Sequence, residues 1–532
     1  MLGKSKLSRL TWLDLSENLL DREVPSWLFS LPSRDMLNLA NNQFPGLLTV
    51  IEDAASNNTT LLKYIILIGN MIQRSTPNSI FELVSFIRLT LSSNNLSDIV
   101  ELNMFYKLKN LIDLNLPRNS LSLLMKSSST ISSNVATCPR LLILECSSCN
   151  IIEFPNFLRT QEDLIVLDLS NNKIQGDIPK WTKDIDKDLL SYLDLFDNFL
   201  IGDLDLQWKN SQYIDLHSNK FEGLTPILLP FAHMLLASNN NFVGEIPSVI
   251  CTLASLHILD LFYNSLSGEI PWCFKILTDQ LSVLDLRSNK LHGTIPSSFG
   301  KCGSLRTMVL NGNQLGGQLP PSLLSCQRLQ VLDMGNNNFK GTFPYWLGSL
   351  PELQVLILHS NSFHGNVGTS KRKHPFSKLR IFDISNNSFN STLPSSFLQC
   401  FKDMMNSTEY GGKLQYLSES YYKDSVMLKV EGHDPKFVRI LTGQQFATFE
   451  NNSYLGNLGL CGNLLSKKCR VDEAPSQPPP RMVQDGSDSE YKCTFGWAIV
   501  GIGYACGMTI GLVAGYYVVI VRIPVWLLGL TC

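Results

Sequence analysis

Five asparagines, Asn264, Asn289, Asn313, Asn337 and Asn361, stand 25, 24, 24 and 24 residues apart, and each closes the same short phrase. In one copy the phrase runs Leu281, Leu284, Leu286, Asn289, Leu291, Gly293, Ile295 and Pro296. The same frame extends through Asn18, Asn42, Asn70, Asn94, Asn119, Asn172, Asn198, Asn219, Asn240 and Asn387. Cys149 replaces one marker, giving sixteen turns. A fixed period of this length is the signature of stacked units rather than of a folded globule. In Leu-x-Leu, alternate side chains of a short strand point the same way, into a core. The asparagine follows the strand, where its amide can satisfy turn backbone groups that would otherwise be buried unpaired. One unit cannot bury its leucines alone, but a stack can.

The expected fold is therefore a leucine-rich-repeat solenoid over residues 1–400, an α/β-type horseshoe or superhelix with a parallel sheet on its concave face. Sixteen strands at about 4.8 Å give an arc of roughly 70 Å. Such a face is long, rigid and freely variable, which suits recognition rather than chemistry. Between the core leucines, the ligand-surface candidates are Asp260, Phe262, Asp285, Arg287, Asn311, Asp333, His359 and Asp383. With 44 basic and 46 acidic residues the chain is nearly neutral, so no nucleic-acid partner is expected.

Past Phe397 the frame breaks. Residues 401–441 form an island holding Tyr410, Tyr416, Tyr421 and Tyr422, in which Asp424 to Val430 reads as a strand. Residues 442–470 form a C-terminal cap, where Cys461 and Cys469 are expected to be disulfide-bonded. A proline-rich and acidic juxtamembrane linker follows at 471–493. From Thr494 to Val521 no residue is charged, and a helix of that length would span about 42 Å, enough to cross a bilayer. Arg522 favours a single-pass type I orientation in the plasma membrane with the ectodomain outside. The tail 522–532 leaves no room for a kinase. Gly503, Gly507, Gly511 and Gly515 share one face of the span, as small residues do where membrane helices pack closely.

No catalytic, cofactor or metal site stands out from the repeat background, and no enzyme is expected. Cys146 and Cys149 form a CxxC, but they occupy a core-leucine and a marker position, which argues against zinc. Glycosylation sequons occur at Asn57, Asn58, Asn95, Asn386, Asn390, Asn406 and Asn451, as suits an extracellular face.

The stretch from Thr442 through Phe446, Phe449 and Tyr454 to Cys461 and Gly462 resembles the plant leucine-rich-repeat receptor-like proteins, the group of the Cf-type disease-resistance proteins. The tyrosine-rich island and the glycine-rich span beginning at Phe495 match the same family. The resemblance implies a kinase-less surface receptor in plant immunity or development. Its ligand would be an extracellular peptide, protein or glycan. Its partners would be adaptor and co-receptor receptor-like kinases, within membrane lipid. Compared with that family, the chain opens without a signal peptide or N-terminal cysteine cap and runs from Leu441 directly into Thr442, where members usually carry further repeats. Two other readings stay open: a secreted or membrane-tethered enzyme inhibitor of the leucine-rich-repeat type, and a non-functional truncated product.

Overall fold

The computed structural model describes residues 9–390 apart from several internal stretches, of which 47–61 and 125–137 are the longest, and four short strands between 415 and 442. Among the described residues, a sixteen-stranded parallel sheet runs through the repeats in sequence order, from Trp12–Asp14 to Ile381–Asp383. Every strand is three residues long and pairs in register, as in Leu259 beside Leu284 and Asp260 beside Asp285. From the second strand onward the middle residue is a core side chain, and Leu37, Ile65, Leu89, Leu193 and Leu259 are fully buried, while Leu13 of the first strand is half-buried. One strand corresponds to each marker of the sequence frame, and each marker lies four residues beyond its strand.

The marker asparagines form a second ladder. Asn289 Nδ2 donates to the carbonyls of Leu261, Leu286 and Arg287, while its Oδ1 accepts the Leu266 amide. Asn313 donates to Leu286 and Leu310 and accepts from Leu291. Each side chain thus satisfies backbone groups of its own turn and of the preceding repeat, which no leucine could do.

The ladder also explains a run of unusual backbone. The residue before each marker has a positive φ: Asn171 at 52°, Asp197 at 53°, Tyr263 at 54°, Ser288 at 55°. Asparagine, serine and aspartate tolerate this region better than most residues; Tyr263 does not, and is held there by its neighbours.

On the far side of each strand the chain enters a second, lateral set of parallel pairings, including the five strands from Gln175–Asp177 to Ser265–Ser267. Bridges from Glu269 to His292 and from Thr294 to Gly316 continue it towards four further strands. Short 3-10 turns such as Ser248–Thr252, Pro321–Ser325 and Tyr345–Ser349 complete the outer wall. Two disulfides, Cys251–Cys273 and Cys302–Cys326, staple consecutive repeats there.

Separately, Gln415–Tyr416 pairs antiparallel with Leu441–Thr442, and Ser425–Leu428 with Lys436–Arg439. The stretch read as a strand at 424–430 therefore contains one. No described helix is long and apolar enough to cross a membrane; the expected span 494–521 lies outside the described residues, as does the cap pair Cys461 and Cys469.

Candidate functional site on the concave face

Because strands pair in register, equivalent positions of successive repeats form rows across the concave face. One row carries Glu145, Asp168, Asp194 and Asp215 on four consecutive strands. Beside it, Tyr192 and Tyr213 stack face to face at 4.3 Å, and on the other side Phe196 stacks on His217 at 3.9 Å. The tyrosine hydroxyls donate to Asp194 Oδ2 at 3.3 Å and to Asp215 Oδ2 at 3.2 Å, and His217 contacts Asp215.

The row crowds carboxyl groups together, which favours their protonated forms. Burial, then the neighbouring Asp168 and Asp113, pushes Glu145 up to about 7. Burial, then Asp215 and Asp168, pushes Asp194 up to about 8. At one end Arg88 pairs with Asp113 at 2.6 Å, and at the other the His217 ring contacts Asp215. Among the described residues no cation pairs with Asp168 or Asp194. A row of desolvated carboxyl groups flanked by aromatic faces can bind cationic groups, which displace the held protons and stack on the rings.

The candidates named from sequence all fall on concave rows, further along the array. Asp260, Asp285, Arg287, Asn311, Asp333, His359 and Asp383 are buried, and Phe262 is half-buried. The structure gives their aspartates a task that spacing did not reveal. Asp260, Asp285, Asp333 and Asp383 each accept the amide two residues on, from Phe262, Arg287, Gly335 and Ser385. This closes the strand-ending turn. Asp168, Asp194 and Asp215 do the same for Ser170, Phe196 and His217.

Arg287 pairs with Asp285 at 2.9 Å and lies over the Phe262 ring at 4.5 Å. Asn311 Nδ2 donates to Asp333 Oδ1 at 3.1 Å and lies 3.4 Å from His359 Nε2, two repeats away. Gly335 permits that reach: a Cβ there would come 2.6 Å from both Asn311 Nδ2 and His359 Nε2. Burial raises Asp333 to about 6 despite hydrogen bonds from Gly335 and Asn311.

The acid–aromatic patch at 192–217 was legible in the same frame, since its residues occupy the same positions as the named candidates; stacking and the run of consecutive acids single it out. Of the sequons, Asn95, Asn386 and Asn390 are exposed, while Asn57, Asn58, Asn406 and Asn451 lie outside the described residues. So do Gly503, Gly507, Gly511 and Gly515. Cys146 and Cys149 are buried in the core, Cys149 donating to the Ser147 carbonyl. Among the described residues no group of three or more His, Cys, Asp or Glu could hold a metal ion.

The in-register sheet and the asparagine ladder define a leucine-rich-repeat protein, and the Leucine Rich Repeat family matches residues 9–31, 163–184, 255–277, 280–302, 304–326, 328–350 and 378–400. Receptor-like protein 53 of Arabidopsis thaliana is 38% identical over 416 residues, covering 73% of this chain and 41% of that protein. Receptor-like protein 6 of Arabidopsis thaliana is 44% identical over 383 residues, covering 70% of this chain and 37% of that protein. Among solved structures, the leucine-rich-repeat ectodomain of the plant membrane receptor kinase GASSHO1/SCHENGEN3 from Arabidopsis thaliana, in complex with CASPARIAN STRIP INTEGRITY FACTOR 2, superposes with a TM-score of 0.66 at 26% identity. That match covers 88% of this chain and 52% of the ectodomain. Repeats and relatives together support a plant leucine-rich-repeat receptor-like protein. The chain spans 33%, 41% and 34% of the length of three such relatives.

Proposed function

We propose that the chain is the recognition part of a cell-surface receptor whose concave face takes an extended extracellular peptide carrying basic side chains. The carrying observation is the row Glu145, Asp168, Asp194 and Asp215 between stacked aromatic pairs. Arginine or lysine side chains would displace the protons held by these carboxyl groups, pair with the ionised forms and lie on the tyrosine rings. Relatives named as receptor-like proteins, and a structural neighbour solved with its bound factor, support recognition of this kind.

The two disulfides support an oxidising, extracellular compartment, and the exposed sequons at Asn95 and Asn390 agree with it. In this reading the span at 494–521 anchors the chain in the plasma membrane. The Cys461–Cys469 pair closes the cap, and the face of Gly503, Gly507, Gly511 and Gly515 holds a partner receptor-like kinase that carries the signal inward. Immunity and development are both served by such receptors.

The test uses cells expressing the full chain behind a signal peptide. Extracellular peptide fractions separated by charge are scored for a receptor-dependent calcium response. Responses are expected from the basic fractions and are lost in Asp194→Lys at unchanged surface level. A response confined to acidic fractions, or undiminished in that variant, overturns the reading.

A further inference from the structure

A second recessed surface lies on the lateral side, away from the concave rows. It is a cleft of about 780 Å³ built from the same positions of three successive repeats. Glu245, Glu269 and Thr294 occupy one position, and Ser248, Trp272 and Ser297 another. Trp272 is 68% exposed. The two glutamates are set by close packing. A Cβ on Gly268 would lie 2.6 Å from Glu245 Cγ, and one on Gly293 would lie 2.8 Å from Glu269 Cγ. Both stems therefore lie flat against backbone, and both residues line the cleft. Among the described residues neither glutamate makes an ion pair; His292 also lines the cleft, but no group of three or more His, Cys, Asp or Glu could hold a metal ion.

We propose that this cleft binds an oligosaccharide free of carboxylates, with amino sugars preferred. An open cleft lined by polar groups suits a hydroxylated ligand better than an apolar one. The indole offers a flat face on which a sugar ring stacks its C–H groups, and it is also the best aromatic partner for an ammonium. Carboxylate oxygens accept hydrogen bonds, so Glu245 and Glu269 match the donor hydroxyls and ammonium groups of such a sugar. Ser248, Thr294 and Ser297 can both donate and accept around the same ring. Uronate sugars would set their own carboxylates against the two glutamates, which excludes them.

The experiment uses the full chain in lipid nanodiscs, titrated calorimetrically with a glucosamine hexamer, an N-acetylglucosamine hexamer and a galacturonate hexamer. Saturable binding of the first, weaker binding of the second and none of the third are expected. Trp272→Ala weakens the glucosamine hexamer about tenfold or more. Glu245→Gln with Glu269→Gln removes the preference for glucosamine while keeping the N-acetylated hexamer. Asp194→Lys on the concave face leaves all three titrations unchanged, so this result stands or falls apart from the peptide reading. Because Trp272 is exposed, its variant keeps the wild-type melting temperature. Absence of saturable binding by either amino-sugar oligomer, equal binding of galacturonate, or unchanged affinity in Trp272→Ala overturns the proposal.

Discussion

The concave face has two stretches built on one backbone and furnished differently. From Glu145 to Asp215 the strand-ending row is acidic on four consecutive strands, and its side chains remain half-open at Glu145, Asp168 and Asp194. From Asp260 to Asp383 the same row opens with the adjacent pair Asp260 and Asp285 and then alternates Val309, Asp333, Ile357 and Asp383, and its side chains are buried. Two of the later acids also have a polar answer nearby: Arg287 for Asp285, and Asn311 for Asp333. The backbone fixes only the spacing between rungs. Whether a rung is a closed structural joint or an open contact surface depends on what stands beside it: Arg287 offsets part of the repulsion between Asp260 and Asp285, whereas among the described residues no cation pairs with Asp168 or Asp194.

The asparagine ladder common to both stretches should give the largest effect. Asn313→Leu leaves the Leu291 amide without its partner and strips one of two asparagine donors from each of the Leu286 and Leu310 carbonyls, and should cost about 3 kcal/mol or more in urea unfolding. The early stretch adjoins a natural defect of this kind at Cys149, where a thiol donates to one carbonyl only. Cys149→Asn should therefore stabilise the array by about 1 kcal/mol. A neutral Asn313→Leu would mean that the ladder does not hold the repeats together.

Next in size are the staples, which belong to the later stretch alone. Cys302 and Cys326 close a loop of 24 residues, and replacing both by serine should cost about 3 kcal/mol, read as a lowered thermal midpoint. If both stretches melt together in the variant, monitored by hydrogen exchange, the array is one cooperative unit; separate melting would show that the later stretch depends on its own cross-links.

Gly335→Ala tests how tightly the closed stretch is built. The added methyl must displace Asn311 or His359, so a loss of about 1–2 kcal/mol is expected, with the His359 imidazole resonances shifted in NMR spectra. A glycine position of the open stretch such as Gly176, with nothing within 4 Å of its added Cβ, would show only the backbone cost of its positive φ.

The smallest effect is in pH. Asp194 is raised in the fold to about 8 from an ordinary 3.8, so between these values the folded chain holds a proton that the unfolded chain has released. Stability therefore falls as pH rises through that window. Asp194→Asn should flatten the decline between about pH 5 and about pH 8, measured by thermal midpoint. An unchanged slope would assign the decline to other groups of the row, Glu145 first.

Much of the fold was legible because it is periodic. The frame from Asn18 to Asn387 located all sixteen strands and the direction of every core leucine, since a short strand admits one inward pattern. The candidate site was less legible. The frame placed Asp260 and Asp333 on the correct face, but could not show that their carboxylates close turns, because that bond depends on the local backbone of each strand end. Nor could it separate Tyr192 and Tyr213 from any other surface pair, since stacking joins residues 21 positions apart that meet only through strand pairing.

By itself, then, the sequence determined the repeat unit, its core and the asparagine that closes each turn, because these are properties of one unit and recur in every copy. Tertiary structure decided which repeats are cross-linked, that Gly335 lets Asn311 and His359 meet across it, and where acids and aromatic rings run side by side. Those features exist only between repeats. The stacking distance brings together side chains more than twenty residues apart, and the balance of charge, burial and hydrogen bonding among them is set by neighbours no single unit contains.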